Sequence, residues 1–270
     1  MSSQLDLTAG ATIPQTSGSA EVDGIPVLWQ APITGGRERR LALWVPWLTG
    51  SKEKVSPFLE LLADAGFLAV SFDPWQHGER GSQTPDELMD RVFGRFRAAM
   101  WPILGQSTLE AMRVVDWAIA ELGPVTDVVA GGVSMGGDIA VALAGADPRV
   151  SRVATVGSTP DWTRPGMRAL DGGGLVDQGD AGTYAQWLRA HLNPIEHLEN
   201  YRRAPAIAFE CGGDDDHVPP AGAVAFRDAL AGVSPEAAGQ VRVTVHPGLD
   251  HFAVTGDPAV ADRCVEWLRA

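Results

Sequence analysis

Val128-Val129-Ala130-Gly131-Gly132-Val133-Ser134-Met135-Gly136-Gly137-Asp138-Ile139-Ala140 reads as a strand, a glycine-rich turn and the start of a helix. Val125 to Ala130 is short, apolar and rich in valine, as a buried parallel strand is. Asp138 to Ala146 is rich in alanine and predicts a helix. Between them stands Gly132-x-Ser134-x-Gly136, the G-x-S-x-G pattern of a nucleophile elbow. A serine at so tight a strand-to-helix turn is held in a strained backbone conformation. The residues two positions either side must be small, because strand and helix nearly touch there. The turn lifts the hydroxyl above the sheet, at a helix N-terminus whose N–H groups favour negative charge. The competing reading is a glycine-rich turn in another doubly wound fold. A strand before the serine and a helix after it favour the elbow.

The chain has 270 residues, 45% hydrophobic and 20% charged, enough for one large α/β domain with a full core. A net charge of -13 disfavours nucleic-acid binding, which needs a basic face. Cys211 and Cys264 lie far apart without metal-ligand spacing and read as buried residues, a single bridge being the alternative. Met1 to Thr16 is polar, without a basic flank or an apolar run, so neither a signal peptide nor a membrane span is expected and the default location is cytoplasmic.

Residues 1 to 18 read as a loose arm or a first edge strand, and 19 to 31 as a hairpin around Asp23-Gly24. Strands are expected at Leu41–Trp47, Phe67–Phe72, Arg152–Gly157, Ala206–Cys211 and Val241–His246. Helices are expected at Ser56–Ala65, Ser107–Leu122, Pro220–Leu230 and Asp257–Leu268, with a mixed, mainly helical stretch at Thr84–Trp101. Strands alternating with helices predict a mostly parallel twisted sheet of about eight strands, covered on both faces. Residues 159–203 break the rhythm with Gly172-Gly173-Gly174, several prolines, Trp162 and Trp187. A connection of that length predicts a lid insertion within a single domain spanning 1–270.

A serine hydroxyl is a weak nucleophile and needs a base, which needs an orienting acid. In elbow proteins the order is Ser, then Asp or Glu, then His, on loops after later strands. Gly212-Gly213-Asp214-Asp215-Asp216-His217-Val218-Pro219 offers three acids, and Pro247-Gly248-Leu249-Asp250-His251-Phe252 offers a histidine. His251 is the better base, since it lies a few residues past its strand. His246 and His217 are rivals within or beside structural segments. No G-x-G-x-x-G, P-loop or zinc spacing occurs, and no cofactor or metal is expected.

These motifs together resemble the α/β-hydrolase superfamily, and most its small bacterial serine carboxylesterases near the dienelactone-hydrolase and prolyl-oligopeptidase branches. Gly132-Val133-Ser134-Met135-Gly136-Gly137 matches their elbow. Gly212-x-x-Asp215-x-x-Val218-Pro219 matches their acid loop, and the resemblance selects Asp215 over Asp214 and Asp216. Thr49-Gly50-Ser51-Lys52-Glu53-Lys54 with Pro57-Phe58-Leu59 is similar to the stretch after their third strand, and Asp73 to Arg80 resembles their Asp…His-Gly-x-Arg loop. His77 and Arg80 read there as bracing residues, with a place in the site's lining as the alternative. The likeness runs from Leu41 to the C-terminus and is weakest across 159–203.

An α/β-hydrolase fold with a triad of Ser134, His251 and Asp215 is what the resemblance implies. It also implies an oxyanion hole, one N–H from Met135 and one from the loop after the third strand. That loop has Pro46-Trp47 where the family usually has His-Gly, so by position the second donor is Leu48, with Trp47 as runner-up. Nine tryptophans are many for this length. Trp47, Trp75, Trp162 and Trp187 are the candidate substrate-binding residues, against the alternative that most of them pack the insertion onto the body. The function implied is hydrolysis of small or short-acyl carboxylic esters by a monomer or homodimer. The alternatives are a thioesterase, acyltransferase or cyclase on a natural-product intermediate, and a non-catalytic binding protein on a hydrolase scaffold.

Overall fold

Alternate residues of β3 (Arg39–Val45) enter opposite cores: Leu41, Leu43 and Val45 pack on one side of the sheet, Ala42 and Trp44 on the other. That period of two, with both sides apolar, is the signature of a strand covered twice. In the computed structural model, which describes residues 16–32 and 39–270, eight strands form one sheet in the order β1-β2-β4-β3-β5-β6-β7-β8. The remaining strands are β1 (Ser17–Val22), β2 (Ile25–Gln30), β4 (Phe67–Phe72), β5 (Val125–Val133), β6 (Val150–Val156), β7 (Ala206–Gly212) and β8 (Val241–His246). β1 and β2 form the expected antiparallel hairpin, β2 pairs antiparallel with β4, and all other neighbours are parallel. Most of the arm expected over 1–18 lies outside the described residues.

The larger core holds residues of α2 (Pro85–Gly94), α3 (Phe96–Glu121), α4 (Met135–Ala146), α5 (Thr183–Leu192), α6 (Ala221–Val233) and α7 (Pro235–Gly239). The smaller holds those of α1 (Ser56–Asp64), α8 (His251–Gly256) and α9 (Pro258–Arg269), and there Trp44 stacks on Phe58 at 4.4 Å. Burial of each large apolar side chain contributes about 1.5–3 kcal/mol. Cys211 and Cys264 are both buried and free, and the alternative of a bridge falls.

Two helical features differ from the sequence reading by more than a shift of a few residues. α3 runs unbroken through Pro102, and the break falls instead at Arg95, whose φ of -160° leaves the helical region. Pro102 removes a helical hydrogen bond, but its neighbours Met100, Trp101, Ile103 and Leu104 are all buried, and tertiary packing outweighs the local preference. His251 opens α8 rather than lying in a loop. Asp250 caps that helix by accepting the Ala253 N–H at 2.8 Å.

Candidate active site

At the elbow, Ser134 has φ 52° and ψ -119°, a left-handed strain that non-glycine residues rarely carry. It is held on both sides: its N–H donates to the Val156 carbonyl at 2.8 Å, and its own carbonyl accepts the N–H groups of Gly137 and Asp138. A Cβ on Gly136 would run into the Val45 carbonyl, and one on Gly132 into the Gly136 backbone. The small residues are therefore required by the closeness of β3, β5 and α4.

Three strand ends meet here. His251 Nε2 lies 3.1 Å from Ser134 Oγ, and His251 Nδ1 lies 2.7 Å from Asp215 Oδ2. A carboxylate only accepts, so the proton sits on Nδ1 and the neutral ring turns the Nε2 lone pair to the serine hydroxyl. Asp215 is fully buried, and its Oδ1 accepts the N–H groups of His217 and Val218 at 3.0 and 2.7 Å. Asp214 and Asp216 are exposed. The rival histidines are engaged elsewhere: His246 Nε2 pairs with buried Glu210 at 2.7 Å, and His217 Nδ1–H donates to the Arg168 carbonyl at 2.8 Å. Burial first, and the nearby Arg164 charge second, push the His217 pKa down to about 3, so that ring is neutral.

Beyond β3 the chain makes a tight turn in which Gly50 N–H donates to the Trp47 carbonyl at 2.8 Å and Thr49 takes φ 71°. This turn sets Leu48 on the wall of a cavity that Met135, the first residue of α4, also lines. Behind it stands a brace. Buried Asp73 accepts from Lys52 N–H and Nζ at 2.9 and 3.1 Å and from Glu79 N–H at 2.9 Å. Gly78, at φ 52°, leaves room for that carboxylate, which a Cβ would strike. Burial works against the Lys52 charge, but hydrogen bonds to Glu53, Glu79 and Asp73 outweigh it and hold the amine above its ordinary range. Arg80 forms a two-pronged pair with Glu110 at 2.6 and 2.8 Å. His77 Nδ1–H donates to the Trp75 carbonyl at 2.9 Å, and burial lowers the ring's pKa to about 4.

Ser134 and His251 open into a cavity of about 370 Å³. Its wall is mainly apolar, with Met89 and Phe93 from α2, Met100 from α3, Leu170 and Phe252. Of the four candidate tryptophans, only Trp47 borders it, its ring also packing on the smaller core. Trp162, within the insertion, is fully buried, and its carbonyl accepts the Trp101 Nε1–H at 2.9 Å. Trp187 is half exposed and stacks on His191, and Trp75 lies under the Arg80 guanidinium. Sequence reading missed Met89 and Phe93, a pair four apart on one helix face, and Arg164, which the insertion brings to the cavity. Among the described residues no group of three or more His, Cys, Asp or Glu is placed to hold a metal, and no helix is long and apolar enough to cross a membrane.

The sequence profile of the alpha/beta hydrolase fold matches residues 46–199, more than half of the chain, and the chain belongs to that family. No curated protein matches the sequence. Among solved structures, TT1662 from Thermus thermophilus is similar with a TM-score of 0.73 at 23% identity, covering 93% of this chain and 95% of that one. Est1E from Butyrivibrio proteoclasticus with ferulic acid bound gives 0.62 at 18% identity, over 93% and 97% of the two chains. Thermogutta terrifontis esterase 2, phosphonylated by cyclosarin, gives 0.61 at 17% identity, over 94% and 92%.

Proposed function

We propose that the protein is a serine hydrolase that cleaves small carboxylic esters through an acyl-enzyme. The observation that carries this reading is the continuous hydrogen-bond line Asp215–His251–Ser134, ending at a strained serine on the floor of an apolar cavity. Ser134 Oγ attacks the ester carbonyl while His251 Nε2 takes its proton. The backbone N–H groups of Leu48 and Met135 receive the developing oxyanion, at the positive end of α4. His251 returns the proton to the leaving alcohol, then takes one from water, whose oxygen attacks the acyl carbon and frees the acid and the serine. Asp215 keeps the imidazole in the required tautomer and balances its charge. Esterases among the fold's relatives fit this reading. Trp47, at the mouth of the oxyanion turn, limits the room for long chains. The cover of the cavity is shared between α2 and the 159–203 segment, whose Arg164 and Leu170 form part of the wall.

Kinetics on p-nitrophenyl acetate test the assignment. Ser134→Ala is expected to lower kcat by about 10⁴-fold or more, and Asp215→Asn by about 10³–10⁴-fold. Asp214→Asn and Asp216→Asn, both at exposed positions, stay near wild type. A Ser134→Ala rate within about tenfold of wild type contradicts the mechanism.

A further inference from the structure

Arg164 follows β6 at φ 42°, and its side chain is 2% exposed. Nη2 donates to Asp138 Oδ2 at 2.5 Å, and Asp138 Oδ1 is fixed by the Thr159 N–H at 2.7 Å. The guanidinium lies over the Phe96 ring at 5.4 Å. Its Nε is buried with no partner, and among the described residues nothing accepts from Nη1. A guanidinium has five N–H donors, and a buried donor left unmatched is costly. Arg164 nevertheless borders the cavity that holds Ser134.

His217 borders the same cavity, packed between Phe93 at 5.4 Å and His251 at 5.2 Å. Its Nδ1–H is engaged by the Arg168 carbonyl, which can only accept, so the neutral ring presents Nε2 as an acceptor. No described residue donates to Nε2. The Arg168 N–H donates in turn to the Asp216 carbonyl at 3.0 Å, which stitches the 164–168 turn to the acid loop and holds the two side chains on one wall.

We propose that Arg164 and His217 form a polar subsite that receives a neutral hydroxyl of the substrate, an inference that rests on the ester-hydrolase reading above. The chemistry of the pair selects this group. A carboxylate would accept from Arg164 but meet the His217 lone pair, and the Arg164 charge is already balanced by Asp138. A ketone would leave His217 unmatched, and an ammonium group would face the guanidinium. A hydroxyl accepts from one and donates to the other. The surrounding Met89, Phe93, Leu170 and Phe252 favour an apolar or aromatic body carrying that hydroxyl. The substrate class is thus a hydroxylated, largely apolar ester, a phenol or an alcohol.

The test compares kcat/KM within matched sets: methyl phenylacetate, its 4-hydroxy and its 4-methoxy forms; the same three for methyl cinnamate; and phenethyl acetate with its 4-hydroxy and 4-methoxy forms. At least one set should favour the hydroxyl member by about tenfold or more over both others, since methoxy accepts but cannot donate. His217→Phe, which keeps a ring against Phe93, should compress that ratio to about threefold or less. The double variant Asp138→Asn/Arg164→Met, which leaves no lone buried charge, should do the same. Ratios within about threefold in every set for the wild type, or a ratio that survives His217→Phe, overturn the subsite. An enzyme inactive on all these esters and on p-nitrophenyl acetate refutes the ester-hydrolase reading instead. The subsite is then decided by binding alone, with 4-propylphenol against propylbenzene followed at the His217 ring nitrogens by NMR. Tighter binding of the phenol with a shifted Nε2 resonance supports it, and equal binding refutes it.

Discussion

Lys52, just past the turn after β3, and Arg164, on the cavity wall, are both cations removed from water, and they are satisfied to different degrees. The three donors of Lys52 Nζ meet three carboxylates, Glu53 at 2.6 Å, Asp73 at 3.1 Å and Glu79 at 2.5 Å. Arg164 meets one, Asp138, with Nε and Nη1 unmatched among the described residues. A closed network behaves as a brace and holds the turn after β3 in place. An open one at a cavity wall has capacity left for a ligand.

The comparison breaks first at its closed end. Asp73→Asn weakens the acceptor for three donors around buried Lys52, and it should lower the unfolding free energy in urea by about 3–5 kcal/mol. A loss under about 1 kcal/mol means that the cluster braces nothing. At the open end, Asp138→Asn alone strands a buried guanidinium and should cost about 3 kcal/mol. Adding Arg164→Met should return most of that, because replacing both members of a buried pair by groups of similar volume is often close to neutral. No recovery in the double variant would show that Arg164 holds the fold through contacts other than Asp138.

The smallest effect is a slope. His217 and His77 are both held below the ordinary histidine value, at about 3 and about 4, by burial. The unfolded chain protonates both near pH 6.5, so between pH 6.5 and 4 it binds more protons than the folded chain, and stability falls as pH falls. Each ring contributes at most about 1.4 kcal/mol per pH unit, near the middle of that window. His217→Phe should remove one ring's share from urea midpoints measured at pH 6, 5 and 4.5. An unchanged slope means that His217 binds protons alike in the folded and unfolded chains, so that burial does not hold the ring neutral below pH 6.5.

The features legible in the sequence are those fixed by short-range geometry. Gly132 and Gly136 announce the elbow because backbone crowding permits nothing larger, and the strand pattern around them gives the parallel sheet. Chain order points to His251, and the resemblance to the family's acid loop points to Asp215, while the capped helix that opens at His251 is not legible. Beyond Trp47, Leu48 and Met135, the cavity wall was not legible. Met89, Phe93, Arg164 and Leu170 meet only through the packing of α2 and the 159–203 segment over the sheet edge. Tryptophan content does not reveal direction: Trp47 turns to the cavity, while Trp162 is enclosed by Trp101 and Asn193. Pro102 misplaced a helix boundary because the buried stretch around it carries the helix through.

Labelling by a fluorophosphonate tests the nucleophile most directly. The probe phosphonylates a serine only where a base and oxyanion donors activate it. Stoichiometric label on the peptide containing Ser134, lost in Ser134→Ala and strongly slowed in His251→Ala, is the expected result. A folded wild-type protein that stays unlabelled while it turns over p-nitrophenyl acetate, or that carries its label on another residue, contradicts the assignment of Ser134.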